Sequence, residues 1–150
     1  HTGELAVVLS PHHALARADN VTLDQLAHEQ LILTSPDETP RLIVDRAFHA
    51  RGLDPIVGFE ANDPTILVRL AGEGIGVGIT GAGIGRSHAD VVVTVPLERG
   101  SLRYSSAIAW PEGGPHTKAL SRFVDFLLSW WDEATAERLA SPERLPVVVR

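Results

Sequence analysis

The sequence predicts an α/β protein built around a largely parallel sheet. Short apolar runs rich in valine, leucine and isoleucine alternate along the chain with segments of helical periodicity. Such alternation is typical of parallel strands joined by crossover helices. With 150 residues, 44% of them hydrophobic and 21% charged, the chain has the composition of an ordinary globular domain and is long enough to form one core.

The first strand is predicted at residues 4–10, where the apolar run ELAVVLS is closed by Pro11. After a connector, Thr22 pairs with Gln25 in the pattern of a capping box, which predicts the start of a short helix. The run LILT at residues 31–34 predicts a second buried strand. Because no partner unit precedes the first strand, the chain is expected to begin in the middle of a fold.

A longer helix is predicted to begin at Thr39, whose hydroxyl would cap it, with Pro40 at its first helical position. Gly52 supplies the signal that ends this helix. The apolar residues that recur at helical spacing within it are Leu42, Ile43, Ala47 and Ala50. The run PIVGFEA at residues 55–61 then predicts a third strand.

Asp63 and Pro64 predict the start of the next helix. The residues expected to point inward from it are Ile66, Leu67, Leu70 and Ala71. Two further strands are predicted at residues 75–80 and 91–96. Residues 81–88, between these strands, are predicted to form a turn or a short helix.

The last part of the chain predicts a sixth strand at residues 104–110 (YSSAIAW) and the longest helix from residue 115 to about residue 140. The apolar face of this helix is predicted to consist of Leu120, Phe123, Val124, Leu127 and Trp131. Residues 141–150 form a C-terminal tail, which fits either a frayed end or an added edge strand.

Charge and composition argue against several classes of function. The formal net charge is −6, from 13 basic and 19 acidic residues, whereas a surface that grips nucleic-acid phosphates is normally basic. No apolar run reaches the roughly 18 residues of a membrane span, and no signal peptide is visible. The absence of cysteine excludes disulfides and thiolate chemistry. These features fit a cytoplasmic protein that contacts no membrane.

Gly76, Gly78 and Gly81 formally match the pattern G-x-G-x-x-G of dinucleotide-binding turns. The first two glycines lie inside a predicted strand rather than after it, so close packing of a helix against that strand is the better interpretation. The seven histidines show no metal-binding spacing such as HExxH, and no G-x-S-x-G nucleophile motif occurs. The sequence therefore predicts no catalytic residue, no metal site and no cofactor.

Polar residues follow a buried strand and lead into a predicted helix at residues 34–39 (TSPDET). Ligands of open α/β sheets bind outside the carboxyl ends of strands, and helix N-termini favour anions. The hydroxyls suit a carboxylate, Asp37 and Glu38 oppose a strongly anionic ligand unless they point outward, and an ordinary capped turn explains the segment equally well. The residues predicted to bind a ligand, here and after neighbouring strands, are Thr34, Ser35, Glu38, Thr39, Pro40, Asn62, Asp63, Thr80 and Gly81.

Several segments, taken in order, resemble the effector-binding domain of LysR-type transcription regulators. Residues 4–16 (ELAVVLSPHHALA) resemble a strand followed by an HPLA-like motif, with an alanine where proline is usual. Residues 31–55 resemble the next strand, ligand loop and helix of that family. Residues 67–80 (LVRLAGEGIGVGIT) resemble its "V.aGlGiallP" signature, with a threonine where proline is usual. Residues 91–131 complete the order of segments.

The resemblance implies a fold like that of the type 2 periplasmic binding proteins, in which an effector lies between two α/β subdomains joined by crossing strands. Residues 1–140 would form a partial effector-binding domain, with 11–98 as nearly all of the second subdomain and 101–131 as a return to the first. The rest of the first subdomain and the N-terminal helix-turn-helix domain that contacts DNA would be absent from this chain. A small organic-acid effector would shift the hinge between subdomains and, through it, the DNA-binding arms.

Dimers of the family pair elements that resemble residues 40–51 and 56–60 with the first subdomain of a neighbour. The residues implied at this interface of a homodimer or homotetramer are Leu42, Ile43, Arg46, Ala50, Val57 and Phe59; the helical ones fit packing against their own sheet equally well. A sensor of this kind would not be an enzyme. Two other functions stay open beside it. A solute-binding protein of a transporter shares the architecture, and an enzyme on a similar bilobed fold would need an acid, base or nucleophile set that the chain does not display.

Overall fold

The computed structural model describes residues 2–98, 102–107 and 117–136, with the backbone alone for residues 131–136. The chain divides into two units, of which Thr2–Tyr104 is the larger and the second begins at Ser105. The predicted α/β class is confirmed. The described strands are β1 (Thr2–Leu9), β2 (Leu31–Leu33), β3 (Val57–Glu60), β4 (Val77–Gly81), β5 (Val93–Pro96) and β6 (Arg103–Ser105). The described α-helices are α1 (Leu23–Leu26), α2 (Thr39–Ala50), α3 (Pro64–Gly72), α4 (Ala82–Ser87) and α5 (Lys118–Ala136), with a 3-10 helix at Ala14–Arg17.

Five strands form one sheet in the order β3-β2-β4-β1-β5, and β6 pairs with β1. Strand β2 runs parallel to both β3 and β4, whereas β1 runs antiparallel to both β4 and β5. Strands β2 to β5 therefore point the same way, and β1 runs in the opposite direction between them. The carboxyl ends of four strands and the amino end of β1 consequently meet at one edge, which we call the carboxyl edge.

Both faces of the sheet are buried at the central strands β1, β2 and β4, whereas the edge strand β3 is largely exposed. Alternate residues of each strand enter different parts of the core: Val7, Leu31 and Leu33 pack on the face that carries α1 and α2, whereas Val8 and Ile32 pack on the face that carries α3. A strand covered on both faces has no polar side, which is why the sequence shows continuous apolar runs rather than alternation.

Helix α2 buries a narrow stripe that does not coincide with the apolar residues singled out from the sequence. Its buried residues are Val44 and Phe48, one helical turn apart, while Leu42 is 41% exposed and Ala50 is also exposed. Ile43 and Ala47 pack only partly against the core. The buried stripe is therefore centred on Val44 and Phe48 and leaves the apolar residues singled out from the sequence at its margin.

Helix α3 buries part of the face that the sequence predicted. Leu67 and Ala71 are buried as predicted, but Val68 is buried as well. Ile66, predicted to point inward, is 52% exposed. Its position in the first turn of α3, near the carboxyl edge of the sheet, leaves it without a covering element among the described residues.

Two of the predicted helix starts are confirmed and one is wrong in detail. The Gln25 backbone N–H donates to Thr22 Oγ1 at 3.2 Å and the Thr22 N–H donates to Gln25 Oε1 at 2.9 Å, which completes the capping box of α1. Asp63 caps α3 by accepting from the Thr65 N–H at 2.7 Å. Helix α2, however, begins at Thr39 itself. Its N-cap is Glu38, whose side chain makes no capping hydrogen bond, so the Thr39 hydroxyl is not the cap and Pro40 is the second helical residue.

Glycines 76 and 78 allow close packing, as the sequence predicted. A Cβ atom at Gly78 would lie 2.5 Å from Leu67 Cδ2 on α3 and 2.7 Å from Val8 Cγ2 on β1, and one at Gly76 would lie 2.6 Å from the Gln30 carbonyl oxygen. Real carbon contacts are about 3.5–4.0 Å. Gly76 precedes β4, whereas Gly78 lies within it, so the G-x-G-x-x-G match is a packing feature of β4 and of the turn before it.

The predictions for the last third of the chain are only partly covered. Strand β6 ends at residue 105, residues 106 and 107 lie outside any strand, and the rest of the predicted strand to residue 110 lies outside the described residues. On α5, Val124 is buried and Leu127 half-buried. Leu120 and Phe123 are exposed, and the Trp131 side chain and the tail lie outside the described residues.

Candidate functional site

The carboxyl edge of the sheet gathers the segments in which ligand-binding residues were predicted. Residues 34–39, which we call the β2–α2 loop, connect the end of β2 to the start of α2, and Asn62 lies two residues after the end of β3. The Ser35 hydroxyl donates a hydrogen bond to Asn62 Oδ1 and joins the two segments. Thr80 and Gly81 end β4, the strand on the other side of β2.

The nine predicted site residues differ in how far solvent reaches them. Thr34 and Thr80 are each only 3% exposed, and Gly81 is buried too. The half-buried ones are Ser35, Glu38 and Pro40, and the exposed ones are Thr39, Asn62 and Asp63. The loop surface and the N-termini of α2 and α3 thus face solvent, while the threonines at the strand ends lie beneath them.

The two helix N-termini at this edge are not equivalent. The Asp63 carboxylate occupies the N-terminus of α3 through its bond to the Thr65 N–H, so a negative group already sits there. In α2 the Leu42 N–H is bonded to the Glu38 carbonyl oxygen at 3.0 Å, and the N–H groups of Thr39 and Arg41 precede that bond, where helix geometry supplies no internal acceptor. With no side-chain cap, the N-terminus of α2 is the better place for an anion.

Arg41 connects three elements beside the β2–α2 loop. Its Nε lies 3.0 Å from both carboxylate oxygens of Asp45, one turn along α2. Its Nη1 donates to the Thr34 carbonyl oxygen at 3.1 Å and to Glu60 Oε1 at 2.8 Å. This cluster was not predicted from the sequence. The i, i+4 spacing of Arg41 and Asp45 is a readable signal, but Glu60 is 19 residues from Arg41 along the chain.

Arg41 is held in its charged form. Burial lowers the pKa of its guanidinium, but the hydrogen bonds that it donates to Glu60 and Asp45, together with the charges of those carboxylates, raise the pKa above its ordinary value. Only 12% of the Arg41 side chain is exposed. Beneath it, Thr34 Oγ1 is buried and has no hydrogen-bond partner among the described residues.

The residues implied at a dimer interface lie on the outer side of α2 and on β3, which is an edge strand of the sheet. Leu42 and Phe59 are 41% and 43% exposed, and Arg46 and Ala50 are also exposed. The remaining two, Ile43 and Val57, are half-buried. The sequence left open whether the helix contacts a neighbouring subunit or packs against its own sheet. Val44 and Phe48 are the residues that pack against its own sheet.

The described part of the chain offers neither a metal site nor a membrane-spanning helix. No group of three or more His, Asp or Glu side chains there is arranged to hold a metal ion. None of the described helices is long and apolar enough to cross a membrane. A shallow cavity of about 320 Å³ is lined by Pro11, His12, His13, Ala14 and Arg17. These residues follow the C-terminal end of β1, which lies at the opposite edge of the sheet from the carboxyl edge.

Comparison with known sequences gives a consistent family. Residues 2–132 match the family described as the LysR substrate binding domain. The HTH-type transcriptional regulator ShiR of Corynebacterium glutamicum is 32% identical over 113 residues, which cover 73% of this chain and 38% of that protein. The uncharacterized HTH-type transcriptional regulator YybE of Bacillus subtilis is 24% identical over 132 residues, covering 87% and 44% respectively. The chain spans less than half the length of these two relatives.

Solved structures show the same fold. The effector-binding domain of QuiR in complex with shikimate superposes with a TM-score of 0.72 at 24% identity, covering 88% of this chain and 63% of that one. The regulatory domain of CcmR from Synechocystis in complex with 2-PG gives a TM-score of 0.72 at 19% identity, covering 86% and 63%. HinK, a LysR family regulator from Pseudomonas aeruginosa, gives 0.71 at 25% identity, covering 87% and 46%.

Proposed function

This chain belongs to the family of LysR substrate-binding domains, and from that premise we propose that it forms one wall of an effector site in a bacterial transcription regulator. The wall is the carboxyl edge of the sheet, centred on the β2–α2 loop. The observation that carries the proposal is the hydrogen bond from Ser35 to Asn62 beside the uncapped N-terminus of α2. Two chain segments that are far apart in sequence there present polar groups and helix N–H groups to the same solvent-exposed surface.

The ligand class that suits this surface is a small organic acid. The Ser35 hydroxyl donates a hydrogen bond to Asn62 Oδ1. The Asn62 amide nitrogen therefore keeps both of its N–H donors for a ligand. Those donors and the first N–H groups of α2 are neutral groups with a positive end toward solvent, and such groups stabilise a carboxylate. The shikimate bound by QuiR is a carboxylic acid, which supports the same chemical class for this chain.

Signalling would proceed by a population shift. An effector biases a hinge only by its difference in affinity for the open and closed arrangements, and the bias reaches DNA through a helix-turn-helix domain outside this chain, as the names of the relatives suggest. The proposed partners are other copies of the protein, in a homodimer or homotetramer. They would bind on the exposed residues of α2 and β3. The solute-binding and enzyme functions are not favoured, because the curated relatives are transcriptional regulators.

Binding of acids to the full-length protein tests the proposed site. Calorimetry with shikimate, benzoate and succinate should identify an acid that binds, and the corresponding primary amides should bind more weakly because they lack the charge. Asn62→Ala should weaken binding of that acid by roughly 10- to 150-fold, since a hydrogen bond to a charged group contributes about 1.5–3 kcal/mol. Asn20→Ala is the matched control, because Asn20 is exposed and precedes Val21, which pairs with Leu97 after β5, on the side of the sheet farthest from β3. Equal affinity of both variants for the acid would contradict the proposed site.

The proposed interface is tested separately by the oligomeric state. Phe59→Glu places a charge on the exposed face of the edge strand and should raise the dimer dissociation constant by more than 10-fold, since a buried unpaired charge in an interface costs several kcal/mol. Ile75→Glu is a suitable control, because Ile75 is equally exposed, at 41%, but lies outside α2 and β3. Sedimentation velocity measures both. Dimers of unchanged stability in the Phe59 variant would contradict this surface.

A further inference from the structure

Arg41 joins the proposed effector surface to the proposed dimer surface. Its Nη1 binds the backbone of the β2–α2 loop at the Thr34 carbonyl oxygen, 3.1 Å away. The same nitrogen binds Glu60 on the edge strand β3 at 2.8 Å, and Nε binds Asp45 on α2. The β2–α2 loop, α2 and β3 thus each contribute one residue that accepts a hydrogen bond from Arg41.

The arrangement leaves Arg41 little capacity to act as the counter-ion of an acid. Two of its three guanidinium nitrogens are used by partners inside the chain, and its charge is balanced by two carboxylates. Because only 12% of its side chain is exposed, a ligand at the loop surface would contact the loop rather than the guanidinium. Its geometry suits it instead to fixing the relative positions of its partners, since a planar guanidinium binds acceptors only in a few fixed directions.

We propose that Arg41 is a positioning residue through which the β2–α2 loop, α2 and β3 respond to an effector as one unit. The inference rests on the proposed function and adds the route from the effector surface to the dimer surface. Thr34 and Ser35 belong to the loop, whereas Glu60 directly follows the exposed Phe59 on β3. A displacement of the loop that breaks or redirects the Arg41 bond to the Thr34 carbonyl therefore also changes the Arg41 contact with Glu60. That contact helps to hold the strand that carries Phe59.

Hydrogen exchange without any ligand tests the mechanical half of this proposal in the full-length protein. Arg41→Met keeps the length of the side chain and removes all its donors, so amide exchange should become about 10-fold faster in residues 35–39 and in β3, in line with the loss of charge-assisted hydrogen bonds. Arg69→Met, an exposed arginine on α3, is the control and should leave both segments unchanged. Arg41→Lys keeps the charge but not the fork of donors, and it should restore little of the protection.

The coupling itself is measured as the effect of the acid on dimerisation. In the wild type, the acid that binds among shikimate, benzoate and succinate should change the dimer dissociation constant by about 5-fold or more. In Arg41→Met the acid should still bind within about 10-fold of its wild-type affinity, but the dimer dissociation constant should change by less than 2-fold. A purely structural role would lower stability and leave the linkage intact. Glu60→Gln, a milder change that keeps the fold if Arg41→Met does not, should reduce the linkage in the same direction.

The outcomes separate the two proposals. If none of the three acids binds the wild type, the proposed organic-acid site fails, and unchanged exchange in Arg41→Met would then overturn the positioning role as well. If the acid binds and both variants keep the wild-type shift in dimerisation, the proposed function stands and the role of Arg41 is overturned. Loss of the shift with retained binding, together with unchanged behaviour of Arg69→Met, supports the role of Arg41.

Discussion

Replacement of Gly78 by alanine tests directly whether the glycine-rich segment serves packing. Gly78 lies on β4 opposite Val8 of β1, with Leu67 of α3 above it. The added methyl group would lie 2.5 Å from Leu67 Cδ2 and 2.7 Å from Val8 Cγ2, about 1 Å closer than carbon atoms prefer. Both neighbours are fully buried, at 0% exposure, so neither can move without displacing other core atoms.

The expected cost follows from these distances. Insertion of a methyl group into a filled core costs about 1–3 kcal/mol. Loss of the glycine's freedom in the unfolded chain returns about 0.4–1 kcal/mol, so the free energy of unfolding should fall by about 1–2 kcal/mol. For a protein of 150–250 residues each kcal/mol lowers Tm by roughly 2–4 °C, which makes the expected change in Tm about 2–8 °C.

Urea unfolding followed by circular dichroism measures the effect, with Gly83→Ala as the matched control. Gly83 lies in α4, and a Cβ atom there would meet nothing within 4 Å, so this change should raise the free energy of unfolding by about 0.5–1 kcal/mol. If Gly78→Ala proves as stable as Gly83→Ala, the packing argument fails. If it keeps its stability but abolishes binding of a dinucleotide, the glycine-loop interpretation would have to be restored.

Five further substitutions, two of them controls, test the core, a buried hydroxyl and a cap by urea unfolding. Phe48→Ala should cost about 3–5 kcal/mol, because Phe48 is fully buried, whereas Leu42→Ala should cost under about 1 kcal/mol; similar losses would contradict the assignment of the inner face of α2. Thr34→Val replaces an unpartnered hydroxyl and should raise stability by up to about 1 kcal/mol, so a clear loss would reveal an unrecognised partner. Asp63→Ala should cost about 1 kcal/mol as a lost cap. Glu38→Ala, which removes no cap bond, should be neutral, and equal losses would refute the contrast between α2 and α3.

Features that depend on neighbouring residues could be predicted from the sequence. The central strands β1, β2 and β4 were predictable because both of their faces are covered, so each is a nearly continuous apolar run. The starts of α1 and α3 were predictable because a capping side chain acts within three residues of its partner, as Thr22 and Asp63 do. The packing role of Gly78 was predictable because its position inside a strand conflicts with a phosphate-binding turn.

Features that depend on tertiary contacts could not be predicted in the same way. The apolar residues of α2 cover more of the helix surface than one buried stripe requires, so periodicity alone could not separate Val44 and Phe48 from Leu42 and Ala50. The Arg41 cluster needs Glu60, which reaches Arg41 only because β3 lies beside β2. For the candidate site, the sequence indicated which segments follow strands, but the bond between Ser35 and Asn62 also depends on that strand order.

The direction of a strand affects the geometry of the site, but a local apolar pattern does not predict it. An apolar run is the same read in either direction, so residues 4–10 predicted a strand without predicting that it runs against its neighbours. Its reversal sets Leu5 opposite Gly81 at the carboxyl edge, where the Leu5 N–H also donates to the Leu102 carbonyl oxygen at 3.0 Å. The edge that carries the β2–α2 loop therefore also contains the pairing of β1 with β6. A parallel β1 would have put its start at the far edge, so the antiparallel strand brings these chain segments to the same edge as the proposed effector surface.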